Sequence, residues 1–417
     1  MDAPAAPMTE RSSALAPFRH PDFTLYQAAR ILLIMAGQFV ILALQWQVLH
    51  LTNDPFHLGM IGLAQFLPNL LFSLPAGHVA DRLNRRSIIM ICALANAAAA
   101  GVLAWEARQP HPSLVIIYAA CGVFGVIRAF SAPAGHAFLP ALVPAAILPT
   151  AIVLHLTVFQ LSTVIGPAAG GFVYGTDHPE RVYIAGAALF VLAFLLFALL
   201  RARPVPPPDA EPFERAFTAG VRYVRNDTRL LGAMSLDLFA VLLGGATALL
   251  PMIAKQTFSS GPHVLGILRS APSVGAGCMA LVLAFRPLRE RIGAWLFGGV
   301  AVYGLATIGF GLSTNFPLTI ALLVISGAAD MLSVTVRHTL IQIATPDAMR
   351  GRVSAVSMVF INTSNELGEF ESGLTAKWWG ASRAIVVGGI GTVAVVLAWI
   401  GLFPALRKAD RFEEKST

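Results

Sequence analysis

Charge is scarce in this chain. Of 417 residues only 12% are Asp, Glu, Lys or Arg, 56% are hydrophobic, and the mean hydropathy is +0.70. An average soluble domain carries roughly 25% charged residues, so these figures exclude an ordinary soluble fold and imply a polytopic membrane protein. Cysteine is scarcer still: Cys92, Cys121 and Cys278 each stand within an apolar stretch without metal-type spacing. Such an odd, scattered set makes no disulfide framework and no metal centre, and reads as packing. The motifs H-E-x-x-H, G-x-S-x-G and G-x-x-x-x-G-K-[ST] are also missing. A membrane-embedded enzyme or an ATP-driven pump therefore has nothing to rest on, and no catalytic residue, metal or cofactor is expected. Long polar segments are lacking too, the longest being residues 201–229, which argues against a sensor with a soluble domain.

What the chain does have is long apolar runs. Twelve are read as membrane helices, since about twenty apolar residues cross a hydrocarbon core of about 30 Å. They cover residues 26–49, 59–80, 87–105, 114–130, 147–174 and 182–200, then 230–253, 264–285, 294–312, 318–343, 354–376 and 385–406. The tight polar reversal between the second and third runs, Gly77 to Arg86, contains Arg82, Arg85 and Arg86. Cationic residues in short loops stay cytoplasmic, so this loop fixes the topology. Counted from it, five basic residues fall in outer loops (Arg108, Arg181, Lys255, Lys377, Arg383) and twenty in inner loops and tails, which puts both termini in the cytoplasm. The net charge of +7 is thus a topology and headgroup signal; lipids, and no nucleic acid, are the expected partners. Residues 1–22 are polar and carry no expected cleaved leader.

Composition also divides the chain. Residues 1–22 and 407–417 read as cytoplasmic tails, and 23–200 and 230–406 as two bundles of six helices each. Between the bundles, residues 201–229 form a linker: a Pro-rich stretch, then Phe213, Phe217, Val221 and Val224 near helical spacing among Arg215, Arg222 and Arg225. That pattern predicts an amphipathic helix on the inner membrane surface. The two halves look like copies of one unit. At an offset of 202, Arg128, His136 and Pro144 fall on Asp330, His338 and Pro346; at 204, Arg82 and Arg85 fall on Arg286 and Arg289.

Three motifs carry a family resemblance. Gly77, Asp81, Arg82, Arg85 and Arg86 form G-x-x-x-D-R-x-x-R-R; Gly166, Pro167, Gly170 and Gly171 form G-P-x-x-G-G; and Thr345 to Val353 reads T-P-D-A-M-R-G-R-V. Over nearly its whole length the chain resembles a major facilitator superfamily transporter, in the branch with enterobactin and macrolide exporters. The resemblance implies an all-α membrane fold of twelve helices and transport by alternating access. It also implies a bacterial inner membrane location and a central cavity lined by helices one, four, seven and ten. The second-half counterpart of the first motif, Ala284 to Arg291, lacks the aspartate.

The residues of these motifs have physical roles to fill. Asp81 can cap or pair with a helix, and the three arginines can pair with acids or helix C-termini, as a latch of a few kcal/mol on the inner face. Pro167 and its small neighbours permit bending and close helix contact. Charges inside a span are costly unless they face water or a partner, which singles out Arg30, Arg128, Asp237, Asp330 and Arg337. Arg30 and Asp237, near the inner face, read as gating or snorkelling residues. Arg128 and Asp330 are deeper, and as repeat counterparts they suggest a pair across the halves; Asp330 and Arg337, seven apart, could instead pair along one helix face.

Span eleven holds Glu366, Glu369 and Glu371, with the first two on one face. Buried neighbouring carboxyls are candidates for proton coupling, or for ion pairs with Arg128, Arg269 or Arg337. His155 and Arg269 read as packing or cavity-lining residues. The expected function is a proton-coupled antiporter, driven by the proton gradient and working as a monomer, that exports a small amphipathic, siderophore-like or drug-like molecule. A lipid or lysolipid flippase of the same fold is the alternative.

Overall fold

The computed structural model describes residues 15–175, 178–201, 213–288 and 290–408. Most of both tails, residues 202–212 of the linker, Arg289 and the side chains of Asp81, Arg82 and Arg215 lie outside the described residues. Among the described residues the regular structure is all helical. The first half contains α1 (Pro21–Thr52), α2 (Pro55–Arg82), α3 (Arg85–Glu106), α4 (Leu114–Phe138), α5 (Leu148–Tyr174) and α6 (Pro179–Leu199). After the linker helix α7 (Phe213–Asn226), the second half begins with α8 (Thr228–Gly244), which continues through a 3₁₀ turn, the short α9 (Leu250–Met252) and a π turn (Ile253–Thr257). It is completed by α10 (Pro262–Phe285), α11 (Ile292–Leu312), α12 (Phe316–Ala344), α13 (Asp347–Trp379), α14 (Ala381–Leu402) and α15 (Pro404–Arg407).

Local chemistry starts these helices where the apolar runs begin. Asp54, Asn84, Asp227 and Asn315 each accept a hydrogen bond from a first-turn backbone N–H, which caps α2, α3, α8 and α12. Eleven segments of the described chain are long and apolar enough to cross a membrane. The remaining predicted span, within α13, falls short in apolarity because it carries Arg350, Arg352, Glu366, Glu369, Glu371 and Lys377 over 33 residues.

The two halves repeat one packing scheme. In the first, α1 packs on α5 and α6, α2 on α4, and α3 on α4 and α6; in the second, α8 packs on α13 and α14, α10 on α12, and α11 on α12 and α14. The helices α4 and α12 begin at Leu114 and Phe316, the same offset of 202 seen in the sequence. Two helix pairs, α2 with α13 and α5 with α10, form most of the joint between the halves, and each is the counterpart of the other.

The apolar core is continuous across the halves at one end only. One buried cluster joins Phe39 to Leu49, Leu103 and Tyr183 of the first half with Leu249 to Ala254, Leu265 and Ile385 of the second, at the end away from the termini. At the terminus-bearing end the first half packs around Phe23, Tyr26 and Phe138, and the second half separately around Leu236, Val336 and Val356.

Helix α7 differs from expectation in what covers its apolar face. Phe217, Val221 and Val224 join the core of the second half, and the backbone at Gly220 approaches Arg352 so closely that a Cβ would lie 2.6 Å from the Arg352 carbonyl oxygen. The Tyr223 hydroxyl donates to the Ala344 carbonyl at 3.0 Å. Burial, with Asp227 adding to it, raises the pKa of this phenol and keeps it a donor. Amphipathicity dictates that a face is buried, not what buries it, and here α13 and α8 take the place of lipid.

Helices of the second half touch backbone to backbone. A Cβ added at Gly327 would lie 1.9 Å from the Pro272 carbonyl oxygen, whereas at Gly298 it would meet nothing within 4 Å. Gly327→Ala should therefore destabilise the protein by about 1–3 kcal/mol through overpacking. Gly298→Ala should leave stability unchanged or raise it slightly through helix propensity. Thermal unfolding of the two variants in nanodiscs checks this contrast.

Candidate functional site

The glycines of the two joints explain how charged side chains in different halves come within reach. In α5, Gly166 and Gly170 face α1: a Cβ at Gly166 would lie 2.8 Å from Gln38 Cβ, and one at Gly170 3.1 Å from Phe39 Cδ1. Gly171 turns to the other half, where a Cβ would lie 2.6 Å from the Pro262 carbonyl oxygen, and Gly266 meets the Pro167 carbonyl oxygen at 2.5 Å in the same way. The G-P-x-x-G-G segment is thus wedged between α1 and α10. On the opposite joint, Gly59 and Gly373 bring α2 and α13 together, a Cβ at Gly373 lying 2.8 Å from Gly59 Cα. Gly59 and Gly62, three apart on one face of α2, both abut α13, a signal present in the sequence as two small residues at helical spacing.

Across this joint Arg128 of α4 pairs with Glu366 of α13, and its other terminal nitrogen lies 3.3 Å from Asn362 Oδ1. The acid is nearly buried, with 9% of its side chain exposed, while the Arg128 side chain is 45% exposed. Glu369, one turn further along α13, packs against α2: a Cβ on Gly62 would sit 3.0 Å from its Oε2. Arg269 of α10 reaches across to Gln45 of α1, and Gln160 of α5 donates to the Ser273 carbonyl of α10. At the closed end, Lys377 lies 3.3 Å from Asp54 and Lys255 3.3 Å from Asn53.

These contacts revise the pairings expected from sequence. Arg128 finds Glu366, not Asp330. Arg337 pairs with Asp237 of α8 rather than with Asp330 on its own helix. Two residues seven apart share a face, but α8 lies against that face and offers a closer carboxylate. The Asp237–Arg337 pair is buried, with 6% and 2% of these residues exposed, so Asp237 does not snorkel. The Arg337 Nε has no acceptor among the described residues. Asp330 has no hydrogen-bond or ion-pair partner among the described residues and lines a cavity with Glu369.

In the first half Arg30 adjoins Tyr26, whose hydroxyl donates to the Gly135 carbonyl at 3.1 Å and whose ring stacks on His155. The His155 Nδ1 lies 3.2 Å from Gln27 Oε1. The Arg30 Nε and Gln27 Nε2 are buried without acceptors among the described residues. At the α2–α3 turn, Arg86 donates to the Phe197 and Ala198 carbonyls at the end of α6, which supplies unsatisfied helix-terminal acceptors with a cation.

Removing one member of a buried ion pair strands the other charge and typically costs about 3–5 kcal/mol, whereas replacing both by apolar groups is near neutral. Asp237→Ala should accordingly lower the melting temperature strongly, and Asp237→Leu combined with Arg337→Met should restore most of it, measured by differential scanning fluorimetry.

The same architecture occurs in known proteins. The structure superposes on a bacterial homologue of the human lysosomal transporter Spinster, in its inward-facing and unoccupied conformation, with a TM-score of 0.73 and 16% identity over 94% of this chain and 96% of the other. It superposes on a POT family transporter in complex with 5-aminolevulinic acid with a TM-score of 0.75 and 11% identity, covering 93% and 96%. In sequence it is 25% identical to the enterobactin exporter EntS of Citrobacter koseri over 398 residues, 93% of each chain. It is 22% identical to the staphyloferrin A transporter of Staphylococcus aureus over 387 residues, 90% of this chain and 95% of that one. Residues 12–417 match the model of the transmembrane secretion effector family. The chain belongs to that family and is a multi-pass membrane transporter of the major facilitator type.

Proposed function

We propose that this transporter is a proton-coupled antiporter that exports a small amphipathic, siderophore-like molecule across a bacterial inner membrane, with both termini cytoplasmic and a single chain as the working unit. The observation that carries the reading is the Arg128–Glu366 pair, a charge contact between the two halves with its acid nearly buried and its base 45% exposed. The cargo class draws support from two relatives named as an enterobactin exporter and a staphyloferrin A transporter.

The mechanism follows from competition at one carboxylate. Facing inward, ionised Glu366 accepts hydrogen bonds from Arg128 and from donor groups of the cargo. Facing outward, a proton arriving from outside neutralises Glu366, withdraws the acceptor and releases both. Return to the inward state and loss of the proton to the cytoplasm reset the pair. For exchange, proton and cargo must bind in alternation; a cargo that bound only once Glu366 was protonated would travel with the proton instead. The cross-half contact must open on every cycle, so its net worth has to stay within the few kcal/mol that a usable two-state equilibrium allows. The core that is continuous at one end and divided at the other fits the inward-facing member of such a pair of states.

In proteoliposomes with an interior pH dye, movement of a siderophore should drive protons the opposite way, and Glu366→Gln, which mimics the protonated acid, should weaken cargo binding and abolish the coupled proton movement. Proton movement in the same direction as cargo would replace antiport by co-transport. Cargo flux without proton flux in the unmodified protein would leave these acids structural. Parallel assays with a fluorescent lysolipid test the flippase alternative.

A further inference from the structure

On the flank of the second half a groove of about 520 Å³ runs between α11 and α12, with Met279 of α10 at one side. Helix α11 packs on α12, α14, α8 and α15, all of the same half, so the groove stands apart from both joints. Its floor is made of small residues, Gly298 and Gly299 of α11 and Ala329 of α12. A Cβ on Gly299 would lie 3.2 Å from the Ala329 carbonyl oxygen, which shows how near the two backbones come, whereas one on Gly298 would meet nothing within 4 Å. Trp295, Val302 and Ile325 form the sides, and these apolar side chains are left 47%, 45% and 46% exposed.

Length and charge both suit one lipid. From Arg291 at the mouth of the groove to Val302, α11 rises about 17 Å, close to half of a hydrocarbon core of about 30 Å. The mouth lies at the terminus-bearing end, since Ile292 and Leu296 beside it belong to the core there. Arg291 is the one charged residue among the described residues that line the groove. Trp295, a turn further in, sets an indole at the level of the headgroups, where membrane proteins concentrate them. The chain around the mouth is basic: Arg286 follows the end of α10, and the short α15, which leads into Arg407 and Lys408, packs against the first turn of α11. Glu290 is the acid in this set. A guanidinium has five N–H donors in a fork that fits phosphate, enough to serve a protein neighbour at the same time.

We infer that this groove binds a phospholipid with an anionic headgroup, its phosphate on Arg291 and one acyl chain along the glycine floor. In a bilayer any lipid covers an apolar flank, so selectivity for the charged head is what the site adds. A zwitterionic lipid gains the same apolar burial, but its head also carries a cation that the basic mouth repels. A free anion gains the mouth without the groove. Basic pockets between membrane helices recognise anionic heads in this way. Lying on the flank, the lipid is a bound ligand of the second half and not cargo between the halves, so the inference depends neither on the proposed cargo nor on proton coupling.

The test uses the full chain in phosphatidylcholine nanodiscs, with chain-brominated phosphatidylglycerol or chain-brominated phosphatidylcholine added in increasing proportion while tryptophan fluorescence is read. Bromine quenches an indole it touches, and the share of quenching that Trp295→Phe removes reports on the groove. That share should reach half its maximum at a mole fraction about fivefold lower with phosphatidylglycerol, the gain expected of one arginine on an anionic lipid. Arg291→Asn, chosen because asparagine tolerates the left-handed backbone at φ 57°, should bring the two lipids to the same value. Gly298→Leu, which fills the groove where a side chain has room, should also abolish the preference and carries the test should the first variant fail to fold. Arg19→Gln, an exposed arginine of the first half at the same end, should keep it. Soluble glycerol phosphate, a head without tails, should leave it unchanged. Equal quenching by the two lipids in the unmodified protein, a preference that survives in either groove variant, or one lost in Arg19→Gln or with glycerol phosphate, overturns the inference.

Discussion

A charge buried in an apolar slab has to find a partner or a pocket of water, and most of this structure can be traced to that requirement. Three of the buried or half-buried arginines meet it in three ways. Arg128 crosses to Glu366, Arg337 stays within its half and meets Asp237, and Arg269 crosses to a neutral glutamine, Gln45. The division separates pairs that hold one half together from contacts that join the two halves.

Glycine sets how close those partners can come. The joints α2–α13 and α5–α10 depend on backbone approach at Gly59, Gly373, Gly171 and Gly266, where a side chain of any size would strike backbone atoms of the opposite helix. With no hydrophobic drive between helices in lipid, close van der Waals contact of this sort supplies much of the association. The same two joints sit beside the cross-half contacts of Arg128, Glu369 and Gln160. Packing and electrostatics are therefore not independent here: the close backbone approach brings the cross-half polar groups within reach.

Where sequence reasoning and structure diverge, the cause is the same in each case. Asp237 looked interfacial because it falls early in its span, yet α12 covers it and supplies Arg337. The linker helix had an apolar face that suited lipid equally well, and the ends of α13 and α8 occupy it. Gly244 and Gly245 end α8 beside a cavity lined by Asp330 and Glu369, neither of which has a hydrogen-bond or ion-pair partner among the described residues. Each depends on which helix lies alongside, and helical periodicity describes only the helix itself.

The amino-acid sequence alone determined the membrane class, the positions of the helices, the duplicated halves, and the shortlist of charges too costly to be accidental. These follow from hydropathy, loop charge and spacing along the chain, which are local properties. Only the tertiary structure decided the partners: Glu366 for Arg128, Asp237 for Arg337, Gln45 for Arg269, and, among the described residues, none for Asp330. The reason is physical. Burial makes a charge seek compensation without specifying its source, and the nearest compensating group comes from a helix up to 238 positions away, brought near by packing that no local pattern encodes.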